Sequence, residues 1–233
     1  MQVIVDTLLP YEKEQNSRVC CYSSCGNLQE FWIQLMEKAY AKLHHNYERI
    51  TTMSVQDTLV DLTGGIAEAV LLHSKFEKKD PNAVWNLLHT YLSQKFLLGA
   101  TNPVEDRSLK EAEQGQQGIL ENHYYAIMDM RDFPKDNLKL VRLRNPWGSE
   151  GVWTGPFCEE ADDWEKYKAV KEDVKNAPKL KKADGSWWMS FTDFLTQFEK
   201  VAVGKMFPES WEVYSIESEW NSKTNGGRNF VLI

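Results

Sequence analysis

Residues 123–148 of the 233-residue chain read HYYAIMDMRDFPKDNLKLVRLRNPWG, and they decide the fold. Residues 124–130 and 138–145 are rich in aromatic and other apolar side chains, whereas the stretch between them, 131–137, is polar and contains a proline. Two such runs around a short polar connection are typical of a β-hairpin. The sequence therefore predicts two adjacent antiparallel strands in the second half of the chain.

His123 and Asn145 face each other across this hairpin if the turn is centred near Pro134, with Cβ atoms about 5 Å apart. An Asn carboxamide oxygen that accepts from one ring N–H of a His fixes the tautomer and leaves the other nitrogen to act on a thiol. Trp147 lies two residues beyond Asn145 on the same face of the strand, where it would shield that hydrogen bond from water. Spacing alone leaves open the alternative of a polar pair at a sheet edge.

Helical and β-rich patterns occupy different parts of the chain. Apolar residues recur at three- and four-residue steps after Asn27 and again after Asp80, which predicts two helices, whereas β-rich runs dominate the second half. The pair Gly64-Gly65 leaves the backbone free to turn and is a candidate hinge between two lobes. Pro208 marks a further boundary. We therefore predict an α+β fold whose domains are residues 1–65, 66–208 and 209–233.

The region after the hairpin contains three shorter signals. Residues 187–189 and 200–206 are predicted strands, and Ser190 with Asp193 three residues later is typical of a capped helix start. Residues 154–186 are charge-rich and show little periodicity, so they are predicted to be a long excursion between the hairpin and these elements.

The composition is that of a mildly acidic globular protein. There are 27 basic and 34 acidic residues and no cluster of Lys and Arg, which argues against binding to a nucleic-acid backbone. No apolar run approaches the roughly 20 residues that a membrane span requires. Four cysteines are too few for a disulfide scaffold, so we expect a reducing, cytoplasmic environment. Cys20, Cys21 and Cys25 have no fourth ligand at a recognised zinc spacing.

Several motifs, in the same order along the chain, resemble the calpain family of cysteine endopeptidases. The resemblance runs from about residue 3 to residue 208, and the ordered set of motifs is specific to that family. Its motifs are EFW at residues 30–32, EKAYAK at 37–42, DLTGG at 61–65, LRNPWG at 143–148, VWTG at 152–155 and DGSWWMSFTDF at 184–194. A weaker likeness in residues 209–233 is to the start of the family's C2-like β-sandwich.

The resemblance implies a papain-like core of two lobes, with the active site in the cleft between them. This chain would supply the back part of the first lobe and the whole of the second, β-rich lobe. His123 would be the general base and later the general acid for a cysteine thiolate, Asn145 would orient it, and Trp147 would cover the pair. The implied activity is limited proteolysis inside the cell by a Cys-His-Asn triad, with proteins as substrates or partners.

The chain departs from the family pattern around the cleft. The family's nucleophilic cysteine and its oxyanion-hole glutamine lie upstream of the positions that this sequence matches, so the chain alone is expected to be inactive. The family usually has a glycine where Asn122 stands, just before the His, and a second cleft glycine where Thr58 stands. Gly64, Gly65 and Asn122 are assigned to the substrate cleft.

Calcium is the cofactor that the resemblance implies, with one ion in each lobe, and no organic cofactor is implied. Glu159 and Asp184 match acidic ligand positions of the second lobe, and Glu37 matches one in the first. Val152 and Ser186 stand where the family has glutamates, so the sequence predicts a weakened calcium site.

Two further functions remain open. A non-proteolytic, calpain-like module that binds other proteins agrees with the missing nucleophile and with Asn122 and Thr58. A carbohydrate- or lipid-binding domain rests only on the nine tryptophans, most of which fall within the motifs above.

Overall fold

The structure is a computed structural model of the chain. It describes residues 2–14, 17–23, 25, 29–72, 80–102, 116–148, 151–175, 184–208, 210–212, 214, 216–219 and 221.

Strands and helices are both abundant in these residues, so the predicted α+β class is confirmed. The strands are β1 Tyr11–Glu14, β2 Ser17–Cys20, β3 Ile66–Leu71, β4 Leu97–Thr101, β5 Tyr124–Phe133, β6 Leu138–Arg144, β7 Ser186–Ser190 and β8 Lys200–Lys205. The first two form a separate hairpin, and the other six form one antiparallel sheet in the order β3-β8-β4-β5-β6-β7. The predicted hairpin therefore lies near one edge of this sheet, with β7 outside it.

The helices are α1 Trp32–Leu43, α2 Tyr47–Thr51, α3 Val55–Thr63, α4 Pro81–Ser93, α5 Asp163–Lys166, α6 Lys168–Lys175 and α7 Phe191–Gln197. Polar side chains cap several of their N-termini, because the first N–H groups of a helix have no partner inside it. Asp80 accepts from the N–H of Asn82. Ser190 accepts from the N–H of Asp193, as the sequence predicts. The first predicted helix begins at Trp32, and Asn27 lies outside the described residues.

The large sheet buries apolar side chains on both faces, because successive residues of a strand point to opposite sides. In β7, Trp187 and Met189 join the main core together with α4 and α7. Trp188, between them, faces a second and smaller core. The sheet therefore separates two hydrophobic clusters.

The second core corrects the prediction for residues 154–186. The described part of that stretch forms α5 and α6, and four of its apolar side chains are buried against the sheet. They pack with the β6 residues and Trp188 as one cluster, whose buried members are Leu138, Leu140, Phe157, Trp164, Val170, Val174 and Trp188. In α6 the buried Val170 and Val174 are one turn apart, but two valines in an eight-residue helix are a weak signal within a charge-rich stretch.

Gly64 and Gly65 join the helical first part of the chain to the sheet. Gly64 ends α3 in the left-handed conformation, with φ 69° and its N–H on the carbonyl of Val60. A Cβ on Gly65 would lie 2.2 Å from the carbonyl oxygen of Lys205. The pair thus forms a helix end followed by a close approach to β8.

Most of residues 209–233, the predicted start of a β-sandwich, lie outside the described residues, and those described there form no strand. Over the described parts of the chain, no helix has both the length and the hydropathy needed to cross a bilayer.

Candidate active site

The register of β5 and β6 differs from the predicted one. Ala126 stands opposite Arg144 and Ile127 opposite Leu143, and the register shifts by one residue between Ile127 and Asp129, where β5 has a β-bulge. Extended by one position, this register places Tyr125, not His123, opposite Asn145. The predicted register is therefore wrong by two residues.

His123 and Asn145 nevertheless meet. The Nε2 atom of His123 lies 2.8 Å from Oδ1 of Asn145. A two-residue offset keeps His123 on the same face of the strand as Tyr125, because side chains alternate with a period of two. Asn145 follows the last residue of β6, and a diagonal neighbour two residues along is within reach of long side chains. The predicted contact therefore forms although the predicted register is wrong.

The carboxamide of Asn145 is completely buried and firmly held. Its Oδ1 accepts a hydrogen bond from the Trp147 N–H at 2.9 Å as well as from His123. Its backbone N–H donates to the carbonyl of Gly185 at 2.9 Å. A Cβ on Gly185 would lie 2.8 Å from the carbonyl oxygen of Asn145, so this approach requires glycine. The loop before β7 therefore fixes the position of Asn145.

His123 is buried between two aromatic rings. Its ring centroid lies 4.8 Å from that of Tyr125, edge to face, and 4.3 Å from that of Trp147. Burial lowers the pKa of His123 below its ordinary value of 6.5, and the hydrogen bond to Asn145 offsets part of this effect. Because Oδ1 of Asn145 can only accept, Nε2 carries the proton, and Nδ1 is the nitrogen able to take up another.

Trp147 covers one side of His123 while remaining 65% exposed itself. The indole therefore separates the imidazole from water on that side and presents its outer face to solvent. The hydrogen bond from its backbone N–H to Asn145 was not foreseen from the sequence. That bond ties the covering residue to the orienting one.

Tyr125 supports the site and was missed by the sequence reasoning. Its hydroxyl accepts from the N–H of Leu120 at 2.8 Å and donates to the carbonyl of Gly151 at 3.0 Å. Burial raises the pKa of Tyr125 to about 12, so the phenol stays protonated and keeps donating. Its position two residues after His123, on the same strand face, was the available signal.

The residues assigned to the cleft are not all brought together. Asn122 precedes His123, has φ 52°, exposes its side chain and donates its N–H to the carbonyl of Asn102. Gly65 lies beside Lys205, at one end of the six-residue strand β8. The start of β5 pairs with Thr101 of the intervening strand β4, and Thr101 pairs with Lys200 at the other end of β8. Gly64 and Gly65 are therefore separated from His123 by the length of the sheet.

Thr58 also lies away from the pair, within α3, where its hydroxyl donates to the helix carbonyl of Ser54. All four cysteines belong to the described residues and are free thiols, and none of their sulfur atoms forms a hydrogen bond with His123. The cysteines are Cys20, Cys21, Cys25 and Cys158.

The three residues assigned to calcium lie in two places. Glu37, in α1, accepts hydrogen bonds from the backbone and the hydroxyl of Ser23. Glu159 lines a cavity of about 120 Å³ near the start of β7, and Asp184 is buried at the same corner of the sheet. Within the described ranges, no three His, Cys, Asp or Glu residues are grouped closely enough to hold a metal ion.

Comparison with known proteins identifies the family. Residues 1–205 match the model of the calpain family cysteine protease domain. The chain is 34% identical over 227 residues to the calpain-type cysteine protease ADL1 of rice, with 97% of this chain and 10% of that protein covered. It is 32% identical over 254 residues to Calpain-A of Drosophila melanogaster, with 99% and 29% covered, and 34% identical over 233 residues to mouse Calpain-8, with 98% and 31% covered.

The chain thus spans about a tenth of the plant relative and about three tenths of the animal ones. The family match covers the hairpin, the His123–Asn145 pair and the sheet that holds them. This chain belongs to the calpain family of cysteine proteases.

Proposed function

We propose that this chain supplies the base-bearing half of a calpain-like cysteine endopeptidase site. The observation that carries the proposal is the 2.8 Å hydrogen bond between two buried side chains, His123 and Asn145, beside the exposed indole of Trp147. A neutral imidazole with one nitrogen held by a carboxamide is the base that activates a thiol in Cys-His-Asn enzymes. The family match makes peptide bonds of proteins the proposed substrates.

In the proposed reaction, Nδ1 of His123 takes the proton of a cysteine thiol as the sulfur attacks the peptide carbonyl. The resulting imidazolium then protonates the leaving amine, and an acyl-enzyme remains. His123 next takes a proton from the water that attacks the thioester, and gives it to the cysteine thiolate as the C–S bond breaks and the acid product leaves. Asn145 keeps the ring in one orientation throughout, because Nε2 stays bonded to Oδ1.

The nucleophile is proposed to come from a segment outside this sequence. None of the four cysteine thiols forms a hydrogen bond with His123. Loss of a nucleophile costs a triad enzyme about six orders of magnitude in kcat. We therefore expect this chain alone to leave peptide substrates intact.

The architecture we propose around this site is papain-like. Residues 1–65 would complete one lobe and residues 66–208 would form the other, with His123 and Asn145 on the cleft side. A C2-like unit would begin after residue 208.

The free thiols of the four cysteines support a reducing, cytoplasmic location.

The test uses the longest natural transcript that contains this sequence, expressed as protein and treated with an electrophilic epoxide that alkylates catalytic thiols. We expect labelling of one cysteine upstream of Met1, and much slower labelling in the His123→Ala variant. His89→Ala is the matched control, because His89 lies exposed on α4, and it should label at the rate of the parent. Equal labelling rates in the parent and in His123→Ala would overturn the proposal.

A non-proteolytic protein-binding module is the second candidate. Asn122 favours it, because an exposed side chain directly before His123 narrows the approach for a substrate backbone. A natural protein that takes up no epoxide on any cysteine supports this reading over the protease.

A further inference from the structure

A buried ion pair occupies the corner of the sheet where β6 and β7 begin to diverge. The Nη2 atom of Arg142 lies 3.6 Å from Oδ2 of Asp184, and the two side chains are only 5% and 4% exposed. The other carboxylate oxygen, Oδ1, accepts the N–H of Ser186 at 3.0 Å. Both oxygens of Asp184 therefore already face a donor or a cation of the protein.

Arg142 is held in this position by Ser186. The guanidinium donates to the Ser186 hydroxyl from Nη2 at 2.8 Å and from Nε at 3.3 Å. A hydroxyl that receives two N–H groups in this way has little capacity left to bind a further cation. Arg142 and Ser186 thus connect the middle of β6 to the first residue of β7.

The cavity next to this ion pair has more cationic than anionic side chains, although Glu159 also lines a second cavity together with Glu160, Asp162 and Asp163. The neighbouring cavity is lined by three cationic side chains, Arg142, Lys171 and Lys175, and by a single carboxylate, that of Glu159. Calcium requires six to eight oxygen ligands at about 2.3–2.6 Å, and its affinity grows with the number of carboxylates. Arg142 is buried, so its repulsion of a calcium ion is weakly screened, whereas Lys175 is 56% exposed and pairs with Glu172. These residues do not fit a calcium ion.

We infer that the Arg142 guanidinium is the built-in cation of this corner. It neutralises Asp184 and bridges β6 to β7, so that Asp184 needs no calcium ion to hold its place. This ion pair would join β6 to β7 whether or not the protein is a protease.

Direct binding is the first test. Terbium replaces calcium in proteins and luminesces when an excited tryptophan lies nearby, and Trp164, Trp187 and Trp188 line this cavity. The 233-residue chain is titrated with terbium and, by calorimetry, with calcium up to about 10 mM, above the 10⁻⁴–10⁻³ M dissociation constants of weak calcium sites. The same titrations are made on the Glu159→Gln variant.

We expect that Glu159→Gln reduces no saturable terbium or calcium signal seen with the parent chain. Binding of the same strength in the two proteins places the ion elsewhere and agrees with the inference. One calcium bound per chain, and lost in Glu159→Gln, would overturn it.

The stability of the ion pair is the second test, measured as the melting temperature in EDTA. Arg142→Gln leaves a buried carboxylate without its cation, so it should lower the melting temperature more than Arg131→Gln, whose arginine is partly exposed. Adding Asp184→Asn to Arg142→Gln should restore part of the loss. An unchanged melting temperature in Arg142→Gln would contradict the role of this arginine, and if the variant does not fold, the binding test still decides.

Discussion

At the scale of single residues, the carboxamide of Asn145 determines what His123 can do. Its Oδ1 atom accepts from both the His123 ring and the Trp147 N–H, which uses the two lone pairs of a carbonyl oxygen. Rotating the amide would present NH₂ to two donors and leave both unsatisfied in a buried site. The Asn145 side chain is therefore held in one orientation, and it selects the tautomer of His123 that carries its proton on Nε2 and none on Nδ1.

The pKa of His123 follows from the same contacts. Because burial lowers it and the Asn145 bond raises it, Asn145→Ala should lower the pKa further, whereas Asn145→Asp should raise it by placing a negative charge beside the imidazolium. NMR titration of the ring protons measures the pKa of His123 in the parent and in both variants.

The lowered pKa of His123 also makes the stability depend on pH. As the pH falls below about 6.5, the unfolded chain takes up a proton before the folded chain does, so the free energy of unfolding falls until the pH reaches the lowered pKa of the folded state.

The control for the added charge is Asn86→Asp, at an exposed position of α4, which should leave the His123 titration unchanged. A parent pKa at or above 6.5, or a lowered value in Asn145→Asp, would contradict the assigned contacts.

Asn122 provides a second test at this scale. Its φ of 52° lies in the left-handed region, where glycine is unstrained, asparagine is tolerated and β-branched residues are not. Asn122→Gly should therefore change the stability little, whereas Asn122→Val should lower the free energy of unfolding by about 1–2 kcal/mol. Urea denaturation of the three proteins checks this.

The matched position away from the site is Asn137, which has φ 50° in the turn between β5 and β6. Asn137→Val should lower the free energy of unfolding by about as much as Asn122→Val. Equal stability of Asn122→Gly and Asn122→Val would show that the conformation before His123 carries no strain.

At the scale of elements, the second core depends on α5. Trp164 is buried, donates its indole N–H to the carbonyl of Cys158 at 2.7 Å and packs edge to face on Phe157. Removing it leaves a large cavity beneath the sheet, so Trp164→Ala should lower the free energy of unfolding by about 3–5 kcal/mol. Trp211→Ala, at a residue 60% exposed, should cost far less, and a comparable loss in both variants would contradict this role for the second core.

The elements that could be predicted from sequence are those with local signals. The hairpin strands, β7 and the Ser190 cap are confirmed because alternation and capping act over a few residues. The helices α5 and α6 could not be predicted, since each is short and is stabilised by burial against strands distant in sequence. The β-bulge in β5 shifts the register, and the pattern of apolar residues in the sequence does not reveal it.

The site shows the same division between local and distant contacts. The His123–Asn145 contact could be predicted because it depends only on which strand face each residue occupies. The contact of Gly185 with Asn145 could not, because it joins segments 40 residues apart whose packing no local pattern encodes. The separation of Gly65 from His123 also required the strand order of the whole sheet.

At the scale of the whole molecule, the helical first part of the chain meets the sheet mainly through α3, which packs on β3 and β8. Gly65 follows this helix and approaches β8 so closely that a Cβ would overlap the carbonyl of Lys205. Gly65→Ala should therefore lower the melting temperature markedly. Gly64 has φ 69° but open space around it, so Gly64→Ala should lower the free energy of unfolding only by the strain of a left-handed backbone, about 1 kcal/mol. Equal losses in the two variants would show that the close approach to β8 is not a constraint.

The same connection predicts how the molecule opens. The described side chains of α2 and α3 are not buried, and α1 buries only Gln34, Tyr40 and Ala41, whereas the strands of the large sheet contribute many buried side chains to the main core. Regions with few buried apolar contacts open at low free energy, and core strands open only with global unfolding. In hydrogen exchange followed by mass spectrometry, we expect the amides of α1 and α3 to exchange well before those of β6 and β8. Gly65→Ala should accelerate exchange in α3 more than in β6. Exchange of α3 as slow as that of β8 would instead mean that residues 1–65 and the sheet unfold as one cooperative unit, with no separate lobe.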